Sequence, residues 1–297
     1  MRDNQKKHIP YLYSGPALIL IFGAVIYPIL YCIYISFTNL NIYHWKSFDF
    51  IGIDNYIRVL TGLDAQFYVV LLRTVVWTVI NLALQLIIGL GLAMLLNIEE
   101  LKGRGIMRTL LIIPWAIPGY ISALVWKGMF NYDFGIVNAI LHSVGIPKIY
   151  WLTDPFFAMV ACIVTNVWLA TPFIMLVCSG ALQSIDKTMY EAAEIDGASG
   201  LSRFRFITFP LIKPVIMPAM IFTAFVTFKQ FDIIYLMTGG LAGKTDVALT
   251  YAYNYAFNSR NHSISATFSV IIFLILLVLT LINMKMSKAD KELYESV

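Results

Sequence analysis

The chain has 297 residues, 59% of them hydrophobic and 13% charged, against roughly a quarter charged in ordinary soluble domains. A soluble core of this length does not absorb that much apolar surface, so lipid takes part of it. The net charge of +4 says little by itself; where the charges sit says more, and no nucleic-acid partner is expected.

Six segments have the about 20 mostly apolar residues that a spanning helix needs. The first, 12–38, holds Pro16 and Pro28, and no small-residue cleavage signal or soluble continuation follows it. It reads as a retained span and not as a signal peptide. The polar stretch 39–69 leads to the second span, 70–96, and 97–105 leads to the third, 106–130, with Pro114 and Pro118. After 131–154 comes the fourth, 155–180, with Pro172. The segment 181–209 separates it from the fifth, 210–237, with Pro214 and Pro218. Then 238–263 precedes the sixth, 264–284, and a charged tail starts at Lys285. Lipid-embedded helices hold proline where neighbouring helices or water re-satisfy the freed carbonyls. That suits a transport pathway, and it suits kinks made for packing alone equally well. Cys32, Cys162 and Cys178 all lie inside apolar runs and read as small buried hydrophobes without a disulfide or metal framework. The histidines (His8, His44, His142, His262) fall in extramembrane segments without metal-ligand spacing. With no internal repeat or low-complexity tract, the chain reads as one all-α transmembrane domain over residues 1–297, with no cofactor and no metal site.

Lysine and arginine placement predicts the orientation. With the N-terminus inside, the cytoplasmic segments carry Arg2, Lys6, Lys7, Lys102, Arg104, Arg108, Lys187, Arg203, Arg205, Lys213, Lys285, Lys288 and Lys291. The outer segments carry Lys46, Arg58, Lys148, Lys244 and Arg260. Thirteen against five puts both termini in the cytoplasm of a multi-pass plasma-membrane protein. Arg73 and Lys127, near outer span ends, are expected to snorkel to the headgroups. Trp45, Tyr132, Trp151 and the tyrosines at 251, 253 and 255 sit beside outer span ends, as interfacial aromatics do.

The inner segment between the fourth and fifth spans is the most informative. Thr188 followed by Glu191 has capping-box spacing, so a helix is expected to begin there. Ala192 and Ala193 favour it, and Gly197, after Asp196, can supply the left-handed residue that ends it. Ser199 can cap a second short helix through Leu201 to Ile207 before Pro210 opens the next span. The predicted object is a helix–turn–helix elbow, or, on physical grounds alone, equally an amphipathic loop lying on the bilayer.

The pattern Glu191-Ala192-Ala193, then Gly197, Ile207 and Pro210-Leu211 resembles the EAA loop of binding-protein-dependent ABC importers. The resemblance implies the type I permease fold and makes this elbow, with Tyr190, Glu191, Ala192, Ala193, Asp196 and Gly197, a coupling helix that docks into a groove on the ATP-hydrolysing subunit. Further along, Trp126–Asn131, Phe134-Gly135, Asn138, Trp151–Pro155, Asn166–Leu169, Thr238–Gly240 and the run Tyr251, Tyr253, Ala256-Phe257 resemble the membrane subunit of maltose/maltodextrin importers. The similarity runs through essentially the whole chain from the first span onward. One departure is large: residues 39–69 are short where the best-known member has a folded extracytoplasmic domain and extra N-terminal spans.

Gly239-Gly-Leu-Ala-Gly-Lys-Thr245 comes close to a phosphate-binding loop. However, Gly239 and Gly243 are one residue too close for G-x-x-x-x-G-K-[ST]. Position 238 is Thr, and no strand precedes it. The chain is therefore expected to be no enzyme, and any ATPase must be a partner.

Polar groups within spans are costly and often functional. Asn166, Leu169, Ala170 and Phe173 recur at helical spacing and share a face; so do Thr223, Val226, Thr227 and Gln230. The resemblance implies that these positions line a sugar site near the bilayer middle. Amides and hydroxyls beside an aromatic platform suit a sugar, whereas the residues alone also allow simple helix-to-helix contacts. Val226 stands where the maltose pattern has an aromatic, Thr227 replaces an amide, and Phe173 lacks a tyrosine's hydroxyl. Lys229 and Asp232, three apart, could pair within the membrane.

The leading expectation is a permease subunit of an ABC sugar importer, for maltose/maltodextrin or another oligosaccharide. The implied partners are cytoplasmic ATPase subunits, a second homologous permease subunit and an extracytoplasmic sugar-binding protein. The alternative is an ion-coupled secondary transporter, with Lys229 and Asp232 as the coupling pair.

Overall fold

The computed structural model describes residues 9–62, 65–98 and 100–295, with side chains over 13–62, 66–98 and 100–281. Arg2, Lys6 and Lys7 of the orientation count lie outside the described residues, as does His8, and so do the side chains of Lys285, Lys288 and Lys291. The helices are, in order, α1 (Ile9–Ile21), α2 (Tyr27–Ser36), α3 (Asp54–Leu60), α4 (Ala65–Leu96), α5 (Arg104–Ala116), α6 (Gly119–Met129) and α7 (Ile136–Ser143). They continue with α8 (Pro155–Gln183), α9 (Lys187–Ile195), α10 (Gly200–Arg203), α11 (Phe209–Phe228), α12 (Asp232–Thr238), α13 (Ala248–Phe257) and α14 (His262–Glu295). Among the described residues the β pairing is one isolated bridge, Thr38 to Phe50. Five helical stretches are long and apolar enough to cross a membrane, and the bent pair α5–α6 makes a sixth if it counts as one span. The fold is all-α.

Two π-turns, Phe22–Ile26 and Phe204–Thr208, interrupt otherwise continuous helices. Each lies just upstream of a proline, Pro28 and Pro210, in the first turn of the helix that follows. A proline ring crowds the carbonyl four residues back and offers it no N–H. Widening the turn before it, through Tyr27 N–H to Phe22 O and Phe209 N–H to Phe204 O, lets the helix pass. Pro210 therefore does not open a new helix. The helix that starts at Gly200 runs on through it.

The chain forms two compact units. One comprises the described part of residues 1–67 with 252–275. In it, Asn55 donates from Nδ2 to the carbonyls of Ser36 (2.9 Å) and Thr38 (2.7 Å), tying α3 to the end of α2. Tyr56 Oη lies 2.6 Å from Ser36 Oγ, and Phe67 stacks on Phe268 of α14 at 4.9 Å between ring centroids.

The other unit is 68–251 with the described part of 276–297. Its axis is α8, which packs into a separate core at each end. Towards the N-terminal end, Ala161 and Cys162 meet Trp77 of α4, Ala123 of α6 and Ile233, Ile234 and Met237 of α12. Towards the C-terminal end, Ile174, Met175, Cys178 and Ala181 meet Ala93 and Leu96 of α4 and Ile212 and Ile216 of α11. Between the two cores the face of α8 from Asn166 to Phe173 stays open.

Two predicted spans are not single helices. The third bends by 98° between α5 and α6. Pro118 forces the residue before it out of the helical region, and Ile117 is extended at φ −84°, ψ 132°. The fifth ends at Phe228, is broken over 229–231, and resumes as α12. The two cations expected to snorkel each bind backbone carbonyls. Arg73 Nη1 donates to Gly243 O (2.7 Å) and Asp246 O (2.9 Å), and Lys127 Nζ donates to Leu236 O (2.8 Å). Leu236 belongs to the last turn of α12, whose carbonyls lack helical partners.

Candidate functional site

The sequence places two polar clusters in this chain, and the structure builds each from different elements. The first lies on the open face of α8. Asn166, Leu169, Ala170 and Phe173 of α8 and Thr223, Val226 and Thr227 of α11 line one cavity of about 220 Å³ together with Gln230. All eight sequence-predicted residues come together there. Gln230 arrives by a different route from the one its spacing implied: α11 has already ended, and its N–H folds back onto Thr227 O at 3.2 Å. Helix end and backbone turn, not a continuing helical face, bring the amide to the cavity.

Four lining residues escape the periodicity argument: Trp115, Ile117, Gly119 and Phe222. Trp115 and Ile117 come from the end of α5 and the bend before α6, where the break at Pro118 turns them toward α8. Trp115 faces Phe173 at 5.9 Å between centroids, and Phe173 faces Phe222 at 5.8 Å, so three rings form one wall. Gly119 opens α6 beside Leu169, where a Cβ would only make ordinary contact with Leu169 Cδ2 at 3.6 Å.

The opposite edge is polar and uncharged. Asn166 is 4% exposed and donates from Nδ2 to Asn81 Oδ1 at 2.8 Å. Thr223 donates its hydroxyl to Ala219 O at 2.8 Å, leaving its oxygen able only to accept. No lining residue carries a charge. The cavity therefore offers an aromatic wall and a neutral hydrogen-bonding edge, which suits a neutral polyhydroxylated ligand.

Lys229 and Asp232 do not form the pair the sequence allowed. Lys229 closes α11 and Asp232 opens α12, so they are not on one helical face. Both are exposed, and among the ion pairs of the described residues none joins them.

The second cluster is the elbow between α8 and α11. Its helix α9 begins two residues earlier than the capping box implies. Asp186, not Thr188, is the N-cap: its Oδ1 accepts from Thr188 N–H at 3.0 Å. Hydrogen bonds from Thr188, the backbone N–H first and then the side chain, hold the Asp186 carboxyl below its ordinary pKa. The helix ends in a Schellman turn, with Gly197 N–H on Glu194 O (3.0 Å) and Ala198 N–H on Ala193 O (2.9 Å). Gly197 takes φ +75°, and Ser199 Oγ accepts from Ser202 N–H to start α10. Tyr190 Oη lies 2.9 Å from Thr208 Oγ1, fastening α9 to the π-turn at the foot of α11. Arg203 pairs with Glu194 at 3.3 Å across the turn. Glu191, Ala192 and Asp196 are exposed, and so are Met189, Ile195 and Leu201, with Ile195 87% exposed. The elbow presents a mixed apolar and acidic surface on a rigid, doubly capped frame.

A model of the family described as "Binding-protein-dependent transport system inner membrane component" matches residues 85–287. The galactooligosaccharides transport system permease protein GanP of Bacillus subtilis (strain 168) is 37% identical over 297 residues, covering 95% of this chain and 71% of that protein. The trehalose/maltose transport system permease protein MalF of Thermococcus litoralis is 37% identical over 283 residues, covering 95% of this chain and 94% of that protein. Among solved structures, a chain of a bacterial ABC transporter involved in the import of the acidic polysaccharide alginate superposes with a TM-score of 0.82 at 24% identity, covering 97% of this chain and 98% of that one.

Proposed function

This chain belongs to the family of inner membrane components of binding-protein-dependent transport systems, and from that premise we propose that it carries a neutral oligosaccharide of the maltodextrin class across the membrane. The observation that carries this reading is the uncharged cavity on α8, with Trp115, Phe173 and Phe222 on one side and Asn166, Thr223, Thr227 and Gln230 on the other. A sugar ring presents C–H faces to aromatic rings and hydroxyls at its edge. A negatively charged glycan would find no cation among the lining residues. The names of the relatives, for galactooligosaccharides and for trehalose and maltose, support the same class of neutral sugars.

In this reading both termini are cytoplasmic, and Tyr190, Glu191, Ala192, Ala193, Asp196 and Gly197 form the surface that meets a separate ATPase subunit. A second, homologous permease supplies the other half of the pathway, and an extracytoplasmic binding protein delivers the sugar. Closure of the ATPase dimer pushes on α9, and the Tyr190–Thr208 contact passes the push to α11, which carries Thr223 and Thr227. The cavity then opens to one side of the membrane at a time.

The test is uptake by the reconstituted complex. Sugar accumulation is expected to stop on ATP depletion and to persist when ionophores collapse the ion gradients; the opposite pattern overturns the reading. Gly197→Val forces a β-branched residue into the left-handed region, a cost of about 1–2 kcal/mol. It is expected to leave membrane insertion intact and to uncouple ATP hydrolysis from sugar uptake. Uptake at the unaltered rate removes the elbow from the coupling route. Normal uptake of every sugar in a panel by Asn166→Ala and Gln230→Ala would remove the cavity from the translocation path.

A further inference from the structure

Behind the cavity, and not lining it, lie two residues of α4 that the transport reading leaves unused. Trp77 is 1% exposed and Asn81 is fully buried; four apart, they share one face of the helix. Asn81 Nδ2 donates to Trp77 O at 2.8 Å, and Asn81 Oδ1 accepts from Asn166 Nδ2 at 2.8 Å. Trp77 Nε1 donates to Thr227 O at 3.0 Å. The two residues thus reach both walls of the cavity, Asn166 on α8 and Thr227 on α11.

The direction of each bond follows from chemistry. A carbonyl only accepts, so the group that faces Trp77 O must be the NH₂ of Asn81. That leaves Asn81 Oδ1 toward Asn166, which must answer with its own NH₂. Asn166 Oδ1 is what remains, and it accepts no hydrogen bond from the described residues. Turning the Asn166 amide over would set two oxygens against each other in a buried site, where an unmet polar group is costly. Thr223, its O–H spent on Ala219 O, also presents only an acceptor.

We propose that Asn81 is a positioning residue: through the chain Trp77 O, Asn81, Asn166 it fixes the site's hydrogen-bond polarity, so that Asn166 Oδ1 reads a ligand hydroxyl as a donor. The inference rests on the sugar-permease reading and deepens it. The ligand class is one with donor O–H groups on both cavity walls. A derivative in which the matching hydroxyl is replaced by fluorine, which cannot donate, is discriminated against.

The experiment uses the complete complex in proteoliposomes, with ATP inside, and compares uptake of maltotriose with that of its mono-deoxyfluoro derivatives. Ratios between variants cancel any preference of the binding protein. With the unsubstituted chain, at least one derivative is expected to be carried about fivefold more slowly than the parent, the loss of one neutral hydrogen bond. Asn81→Ser is too short to reach Asn166, while its hydroxyl can bond the carbonyl four residues back, as Thr74 and Thr78 do on the same helix. In this variant the ratio is expected to fall towards one, because the freed Asn166 amide can turn to suit the fluorine. As the neutral acid, which its full burial favours, Asn81→Asp can turn its O–H to Trp77 O and its carbonyl oxygen to Asn166, and it is expected to restore the discrimination. In an Asn166→Ala background the ratio is already flat, and adding Asn81→Ser should not move it further. A ratio in Asn81→Ser equal to that of the unsubstituted chain, with maltotriose carried, overturns the proposal alone. Failure of the unsubstituted complex to carry any sugar with ATP overturns the sugar reading and the proposal together.

Discussion

Asn138 shows how much one side chain can organise outside the cavity. It is 1% exposed. Its Nδ2 donates to Ile149 O at 3.0 Å, and its Oδ1 accepts from Ile149 N–H at 3.0 Å and from Trp151 Nε1 at 3.1 Å. It therefore staples the segment before α8 to α7, and it holds Trp151 through the indole N–H. Asn138→Leu is expected to strand those partners and to cost about 1–3 kcal/mol, read as a lower Tm of the detergent-solubilised chain. Asp186 makes a comparable local contribution at the elbow. Its folded pKa lies below the unfolded value, so its cap is fully present above about pH 4 and is lost as pH falls through the depressed folded value. Protection of the Thr188 amide from hydrogen exchange should follow that sign, and Asp186→Asn should remove the pH dependence.

The helices α4 and α8 meet at Gly89 with almost no spare space. A Cβ there would lie 3.0 Å from Ile174 Cγ2 and 3.1 Å from the Met175 backbone nitrogen. Small residues let membrane helices approach in this way. Gly89→Val is expected to cost about 1–3 kcal/mol through overpacking, measured as a drop in Tm. Gly91→Val is the control on the same helix, because a Cβ at Gly91 meets nothing within 4 Å. The same contrast explains what the sequence could and could not reveal. The face Asn166–Phe173 was readable because α8 is regular there and its polar residues keep helical spacing. Trp115 and Ile117 were not, because a proline marks that a helix breaks without giving the angle, and only the 98° bend carries them to α8. Gln230 was named for a helical face that ends two residues before it, and reaches the cavity through a turn. Asn81 escaped because its partners, Trp77 and Asn166, are respectively four and eighty-five residues away, and span-to-span pairing has no signature in spacing. At the elbow the glycine was readable from its position, whereas the cap was misplaced, since Asp186 precedes the Thr188–Glu191 pattern that mimics a capping box.

At the scale of the whole molecule, the asymmetry of thirteen lysines and arginines against five makes orientation and coupling a single question. A charge bias of this kind places the richer segments on the cytoplasmic side, and the elbow with its exposed Ile195 belongs to the richer set. If the orientation were reversed, the elbow would face outward, where no ATP is present to act on it. Cysteine labelling separates the two cases. Replacing Cys32, Cys162 and Cys178 gives a background without native thiols, into which Val144→Cys, Ser259→Cys or Ile195→Cys is introduced at exposed positions. In intact right-side-out vesicles a membrane-impermeant maleimide is expected to label the first two and to leave Ile195→Cys unlabelled until the membrane is opened. Labelling of Ile195→Cys in intact vesicles would reverse the orientation and remove the elbow from the ATPase side. In opened vesicles, adding the ATPase subunit should then slow labelling at Ile195→Cys and leave Ser259→Cys unchanged, because only the cytoplasmic surface is covered when the two proteins meet.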